Sequence, residues 1–159
     1  MNVQLLGSQA GETGFTAPIW QDGTGRIFFV ADCDEDNDGP NGNPTRDPYW
    51  QSETTLRHQG KSIDSMRVPG VVAPTWLPRA IPAIVLGCRA RVTNLATGLS
   101  ADGVVYDLGP SKKAGECSNL LCARLGAKGG ENRPLFFYEL WPGVPADVDG
   151  VRYALQPSK

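Results

Sequence analysis

The chain has 159 residues, enough for one domain with a proper core and too few for two ordinary ones, and its 13 prolines and 19 glycines break it into short apolar runs. A formal charge of −2, with 15 basic residues scattered along the chain, leaves no basic stripe of the kind that holds nucleic acid. No apolar run approaches the roughly 18 residues of a membrane span, and MNVQLLGSQAGETG has neither the basic nor the apolar region of a signal peptide, so the chain reads as a soluble protein without a standard export signal.

The pattern predicts a mainly β chain with one short helix. GRIFFVA (25–31) reads as a strand that delivers an acidic stretch to its end, and 32–48 as a long loop. A turn is expected over 62–66, then a short strand GVVA (70–73) closed by Pro74. Pro69, Pro74, Pro78 and Pro82 argue against a helix in that region. IVLGCRARV (84–92) and GVVYD (103–107) suit a hairpin. The helix is expected over 116–125, with Cys117, Leu120, Leu121 and Leu125 on one face, Arg124 in the last turn and Gly126 as the stop. Residues 135–138 and 151–155 supply two further strands.

Four cysteines, Cys33, Cys88, Cys117 and Cys122, include no CxxC pair that would suggest zinc. If Cys117 and Cys122 share the helix, their Cα atoms stand roughly 8 to 9 Å apart, too far for a disulfide, so any bridge must cross to Cys33 or Cys88. Four buried thiols are the plainer alternative.

VADCDEDNDGPNG (30–42) carries five acidic residues and admits three readings. Asp34, Asp36, Asp38 and Gly39 fit the opening of a calcium loop, but the twelfth position, Thr45, is not the glutamate that completes one, and no metal or other cofactor is expected. The stretch is otherwise a solvated loop, or the wall of a cleft for a positively charged substrate.

VVYDLGPSKKAGECSNLLCARLG (104–126) runs from a strand through a Gly/Pro loop to the helix and sets Asp107 at one rim and Glu116 nine residues on. Paired carboxylates are what glycoside hydrolysis needs, one to protonate the leaving oxygen and one to activate water or attack the sugar. A first-turn glutamate also suits a helix dipole, and an Asp before Leu-Gly-Pro also suits a turn. That dipole would lower the pKa of Glu116, against the needs of a general acid.

In ordered blocks the sequence resembles the fungal-type chitosanases of glycoside hydrolase family 75, a family with bacterial members. The blocks are the strand running into the acidic loop, DPYWQ (47–51), GKSID (60–64), VPGVVAP (68–74) and YDLGPSKKAGECSNLLCARLG (106–126). The resemblance implies that Asp107 and Glu116 are the essential acids, and that hydrolysis proceeds with inversion. Tyr106 where the family usually has Gly, Leu108 for Val, and Cys117 after the glutamate are departures, and Tyr106 implies altered substrate fit at the rim. The D-x-G-P, acid and LARLG pattern is also similar to the core of double-psi β-barrels, shared by some cellulases, expansin-like proteins and peptidoglycan lytic enzymes. It implies a six-stranded double-psi β-barrel. It also implies an alternative in which Glu116 donates the proton, Asp107 supports it, and the base is Asp32 or Asp34.

Asp32, Asp34, Tyr49, Trp50, Tyr106 and Lys113 are the expected substrate contacts. Carboxylates pair with the ammonium groups of chitosan, and aromatic faces stack on sugar rings. Trp50 and Trp76 serve equally well as covers of the core, Lys112 and Lys113 as a solvated pair, and His58 as a surface residue that leaves no nucleophile–histidine pair. The expectation is a monomeric, endo-acting chitosanase-type hydrolase. The rivals are a peptidoglycan glycosidase of phage or effector type, favoured by the missing signal peptide, and a non-catalytic expansin-like carbohydrate-binding module.

Overall fold

A computed structural model of the chain describes residues 2–11, 13–43, 45 and 47–157. The strands are β1 (Val3–Ala10), β2 (Thr16–Asp22), β3 (Ile27–Asp36), β4 (Arg57–His58), β5 (Lys61–Ser62), β6 (Gly70–Pro74), β7 (Cys88–Asn94), β8 (Ser100–Gly109), β9 (Glu116–Ser118), β10 (Glu131–Pro145), β11 (Asp147–Val148) and β12 (Val151–Arg152). Two short helices, α1 (Leu77–Ala80) and α2 (Asn119–Arg124), complete the fold. No helix among the described residues is long and apolar enough to cross a membrane.

Six strands close into a barrel in the order β3-β10-β7-β8-β6-β9 and back to β3, and β2 with β1 extends the sheet from β3. The β3–β9 and β6–β8 pairs are parallel, and the rest of the ring is antiparallel. Exchanging the first three barrel strands in chain order (β3, β6, β7) with the last three (β8, β9, β10) maps the ring of pairings onto itself with every sense preserved. The barrel therefore has a two-fold pattern of connections that no sequence repeat announces. In this pattern the ends of β3 and β8 are equivalent, and both carry acid there, Asp34 and Asp36 on β3 and Asp107 on β8.

Alternation builds the ring. On β7, Cys88, Ala90, Val92 and Asn94 are buried while Arg89, Arg91 and Thr93 reach outward, the period-two pattern of a half-buried strand. Ile27, Phe29, Ala31 and Cys33 of β3, Val71 and Ala73 of β6, Val105 of β8 and Phe136, Tyr138 and Leu140 of β10 meet in the interior, with the Phe29 and Tyr138 rings stacked at 4.8 Å. A second apolar cluster, Leu56, Val72, Leu86, Val104, Tyr106 and Tyr153, seals the outer face of β6 and β8.

Several local expectations need correction. The first barrel strand does not stop at residue 31 but runs on through the acids to Asp36, because β9 pairs with its end. The segment 116–118 is strand, and the helix begins only at Asn119. Ser118 caps it, its hydroxyl accepting hydrogen bonds from Leu121 N at 3.2 Å and Gly70 N at 2.8 Å. Cys117 and Cys122 thus do not share a helix. The prolines do not exclude a helix, since Pro78 sits in the first turn of α1, where a missing N–H costs little. The hairpin of β7 and β8 forms, starting later at Cys88 and reaching Gly109. Of 151–155 only Val151–Arg152 is strand. Strands β1 and β2 lie where no element was expected.

Candidate active site

The register at the crossing of the two parallel pairs sets one row of residues across four neighbouring strands. Asp34 on β3 stands opposite Glu116 on β9, Glu116 opposite Val72 on β6, and Val72 opposite Asp107 on β8. Between β6 and β8 the pairing jumps from Val71–Val105 to Val72–Asp107. Tyr106 and Asp107 therefore share one partner, and this shift turns Asp107 to the same outer side as Glu116. With neighbouring strands about 4.8 Å apart, two steps separate the backbones of Asp107 and Glu116 by roughly 9 to 10 Å.

Two adjoining hollows, of about 310 and 510 Å³, open over this row and share Asp47, Tyr49, Pro110 and Glu116. Glu116 is thus at the waist of one groove. Eight of its lining residues are acidic: Asp34, Glu35, Asp36, Asp38, Asp47, Glu53, Asp107 and Glu116. Lys113 is the only basic residue among the described lining.

The carboxyl of Glu116 is half-buried against Gly109, where even a Cβ would stand 2.9 Å from Oε2. Burial first, then the charges of Asp36 and Asp34, push its pKa up to about 8, with Lys113 pulling the other way. The dipole expectation fails because Glu116 is not in the helix. Asp107 is buried, and its Oδ1 accepts hydrogen bonds from the Thr55 hydroxyl, from Thr55 N at 3.2 Å and from Leu108 N at 2.8 Å. Burial raises its pKa above the ordinary value while these donors restrain the rise. Asp36 accepts from the Tyr106 hydroxyl and, at 2.9 Å, from Asp38 N. Burial lifts it to about 6 against those bonds. Burial also raises Asp38, whose Oδ1 takes Gln51 N at 2.6 Å.

The sequence-derived candidates separate clearly. Asp107, Glu116, Asp34, Tyr49 and Lys113 line the groove, with Tyr49 87% exposed and Lys113 Nζ donating to Asp34 Oδ2 at 3.0 Å. Asp32 does not reach it: the side chain is buried beneath Gly115, at whose positive φ of 103° a Cβ would come within 2.1 Å of Oδ1. Tyr106 is no rim contact either, being fully buried with its ring on Gly70. Trp50 is half-buried, donates from Nε1 to Gly39 O at 3.2 Å, and holds the loop instead of lining the groove. Trp76 packs on the core, and His58 is half-buried against the Tyr153 ring.

The calcium set does not assemble as D-x-D-x-D-G implies. Asp34 is held by Lys113, and the carboxylates close enough to share one point, within 4.8 Å of one another, are Asp36, Asp38 and Asp107. Thr45 turns back on Asn43 Oδ1. Asp36, Asp38, Asp47, Gln51, Glu53 and Thr55 are groove residues that sequence reasoning did not name as substrate contacts. The extension of β3 and the GKSID and DPYWQ neighbourhoods were the signals available for them.

Compared with models of known protein families the chain matches none, and no relative is found among curated proteins.

Proposed function

We propose that the protein is an endo-acting glycoside hydrolase of chitosanase type, in which Glu116 is the general acid and Asp107 the general base. The observation that carries the reading is the place of Glu116 at the waist of a groove lined by eight acids, where burial and the neighbouring charges push its pKa up to about 8, with a second, hydrogen-bonded carboxyl two strands away. Glu116 gives its proton to the glycosidic oxygen as the bond to the anomeric carbon breaks. Asp107, with Oδ1 occupied by Thr55 and Leu108, takes a proton through Oδ2 from the water that attacks the opposite face. Inversion would require the two carboxyls to stand roughly 6.5 to 9.5 Å apart, with room for a water between them. Two parallel pairs in a two-fold pattern of connections support the double-psi description of the barrel.

The surplus of carboxylates favours a polymer of glucosamine. Each ammonium gains a charge-assisted partner in the groove, whereas peptidoglycan brings carboxylates of its own and neutral chitin gains nothing. Incubation with chitosan, chitin and purified murein sacculi, read by reducing ends, product masses and the anomeric form of the first product, tests the proposal. Soluble glucosamine oligomers released with inverted configuration are expected. Murein fragments instead would point to the peptidoglycan reading, and retention on polysaccharide without any new reducing end to the binding-module reading.

A further inference from the structure

The interior of the barrel directly beneath the acidic row holds three sulfurs. Cys33 precedes Asp34 and Cys117 follows Glu116, so both point inward where their neighbours point out. Cys122 of α2 comes up from the other side, its Sγ 3.1 Å from Cys33 Sγ. The Cys117 thiol is engaged differently, 3.2 Å from the Tyr138 hydroxyl, which itself donates to Asp32 O at 2.7 Å. Cys88 stands apart with its thiol on Ala83 O.

We infer that Cys33 and Cys122 are a disulfide-forming pair, a covalent cross-link site that ties the acidic end of β3 to α2 when the chain folds in an oxidising compartment. The sulfurs need to close by only about 1 Å to reach bonding distance, which small side-chain rotations supply. All three thiols are fully buried in the finished fold, so the reaction belongs to folding, before α2 docks. The oxidant is a low-molecular-weight or protein disulfide. The Cys33 thiolate attacks one of its sulfurs and expels a thiolate. Cys122, deprotonated in turn, attacks the mixed disulfide at the Cys33 sulfur and expels the second. Two protein thiols lose two electrons and two protons, and the oxidant becomes two thiols. The bridge would close 89 residues of sequence separation, a long loop whose closure restricts the unfolded chain strongly.

The test is refolding of the denatured, reduced protein in a buffer of reduced and oxidised glutathione, followed by intact mass, a non-reducing digest and thermal melting. The expected product has lost two hydrogens, yields one cross-linked peptide joining Cys33 to Cys122, and melts about 10 °C above the reduced form. Cys88→Ser and Cys117→Ser should retain the link, and Cys122→Ser should lose it. Four alkylatable thiols in the refolded wild type, or a link to Cys117 or Cys88, overturns the inference. The wild-type measurement decides alone if a variant fails to fold, and no outcome depends on glycosidase activity.

Discussion

Two glutamates flank the end of β3, one on each side. Glu131 on β10 stands opposite Cys33, and Glu116 on β9 stands opposite Asp34. Arg133 grips Glu131 with Nε at 2.9 Å, Nη2 at 2.8 Å and its backbone N at 3.1 Å, and holds its pKa down to about 2, the side-chain hydrogen bond contributing most. Glu116, buried among carboxylates, is pushed up to about 8. The residue type and the neighbouring strand are the same, so position beside an acidic strand does not make a proton donor. Withdrawal from water and the sign of the nearest charges do.

The largest effect should come from removing the proton that distinguishes the pair. Glu116→Gln is expected to lower kcat on chitosan oligomers by about 10³-fold or more with little change in KM, since a general acid acts mainly in the transition state. Asp107→Asn should cost about 10² to 10³-fold, because the amide cannot accept the water's proton. Near-wild-type rates in either variant would sink the assignment.

A smaller effect sharpens the cause. The wild-type rate should fall as pH rises through about 8, where Glu116 ionises, and fall in acid as Asp107 takes up a proton, with burial setting that limb higher than an exposed aspartate would. After burial, the charge of Asp36 contributes most to the rise, and Asp36 is ionised above about 6. Asp36→Asn should therefore move the alkaline limb down by about one unit, and rates near pH 8 fall several-fold while those near pH 6 change less. An unmoved limb would show that burial alone holds the proton.

Stability should register the same proton more weakly. The folded pKa of Glu116, about 8, lies above its ordinary value of 4.5. The contribution of Glu116 to stability is therefore fully present below about 4.5 and is lost as pH rises from there through about 8. Glu116→Gln escapes that loss, so its Tm should match wild type in acid and exceed it by roughly 5 °C above pH 8. Equal melting at both pH values would mean that the carboxyl ionises in the fold at little cost.

How far the sequence foretold this contrast depends on the range of the interactions involved. The barrel strands with clean alternation were legible, and so were Asp107 and Glu116, because their blocks are continuous in sequence. The start of α2 was misread because Cys117 and Leu121 keep helical spacing. Ser118, a natural cap, marked the true boundary. Strand β1 was silent because most of its residues are exposed, so no buried stripe shaped its pattern. Tyr106 was placed at the rim because its burial follows from a register shift against β6, which local sequence does not encode. Asp36, Asp47 and Glu53 reach the groove through long-range packing of an irregular segment, where periodicity carries no signal.

The smallest expected effect closes the comparison from the other side. Arg133→Gln removes the cation from Glu131 and leaves the groove untouched. Glu131 is only half-buried and, among the described residues, has no carboxylate crowding it, so its carboxyl should rise from about 2 into the ordinary range near 4.5 and go no further, a shift that NMR titration of the side chain reads directly. The pair lies at the surface, where solvent and salt screen it, so Tm should move by no more than about one degree and activity should not change at any pH. A rise of Glu131 toward the value of Glu116 would mean that the end of β3 itself sets both glutamates. Return to the ordinary range leaves burial among carboxylates as the distinguishing property of the candidate acid.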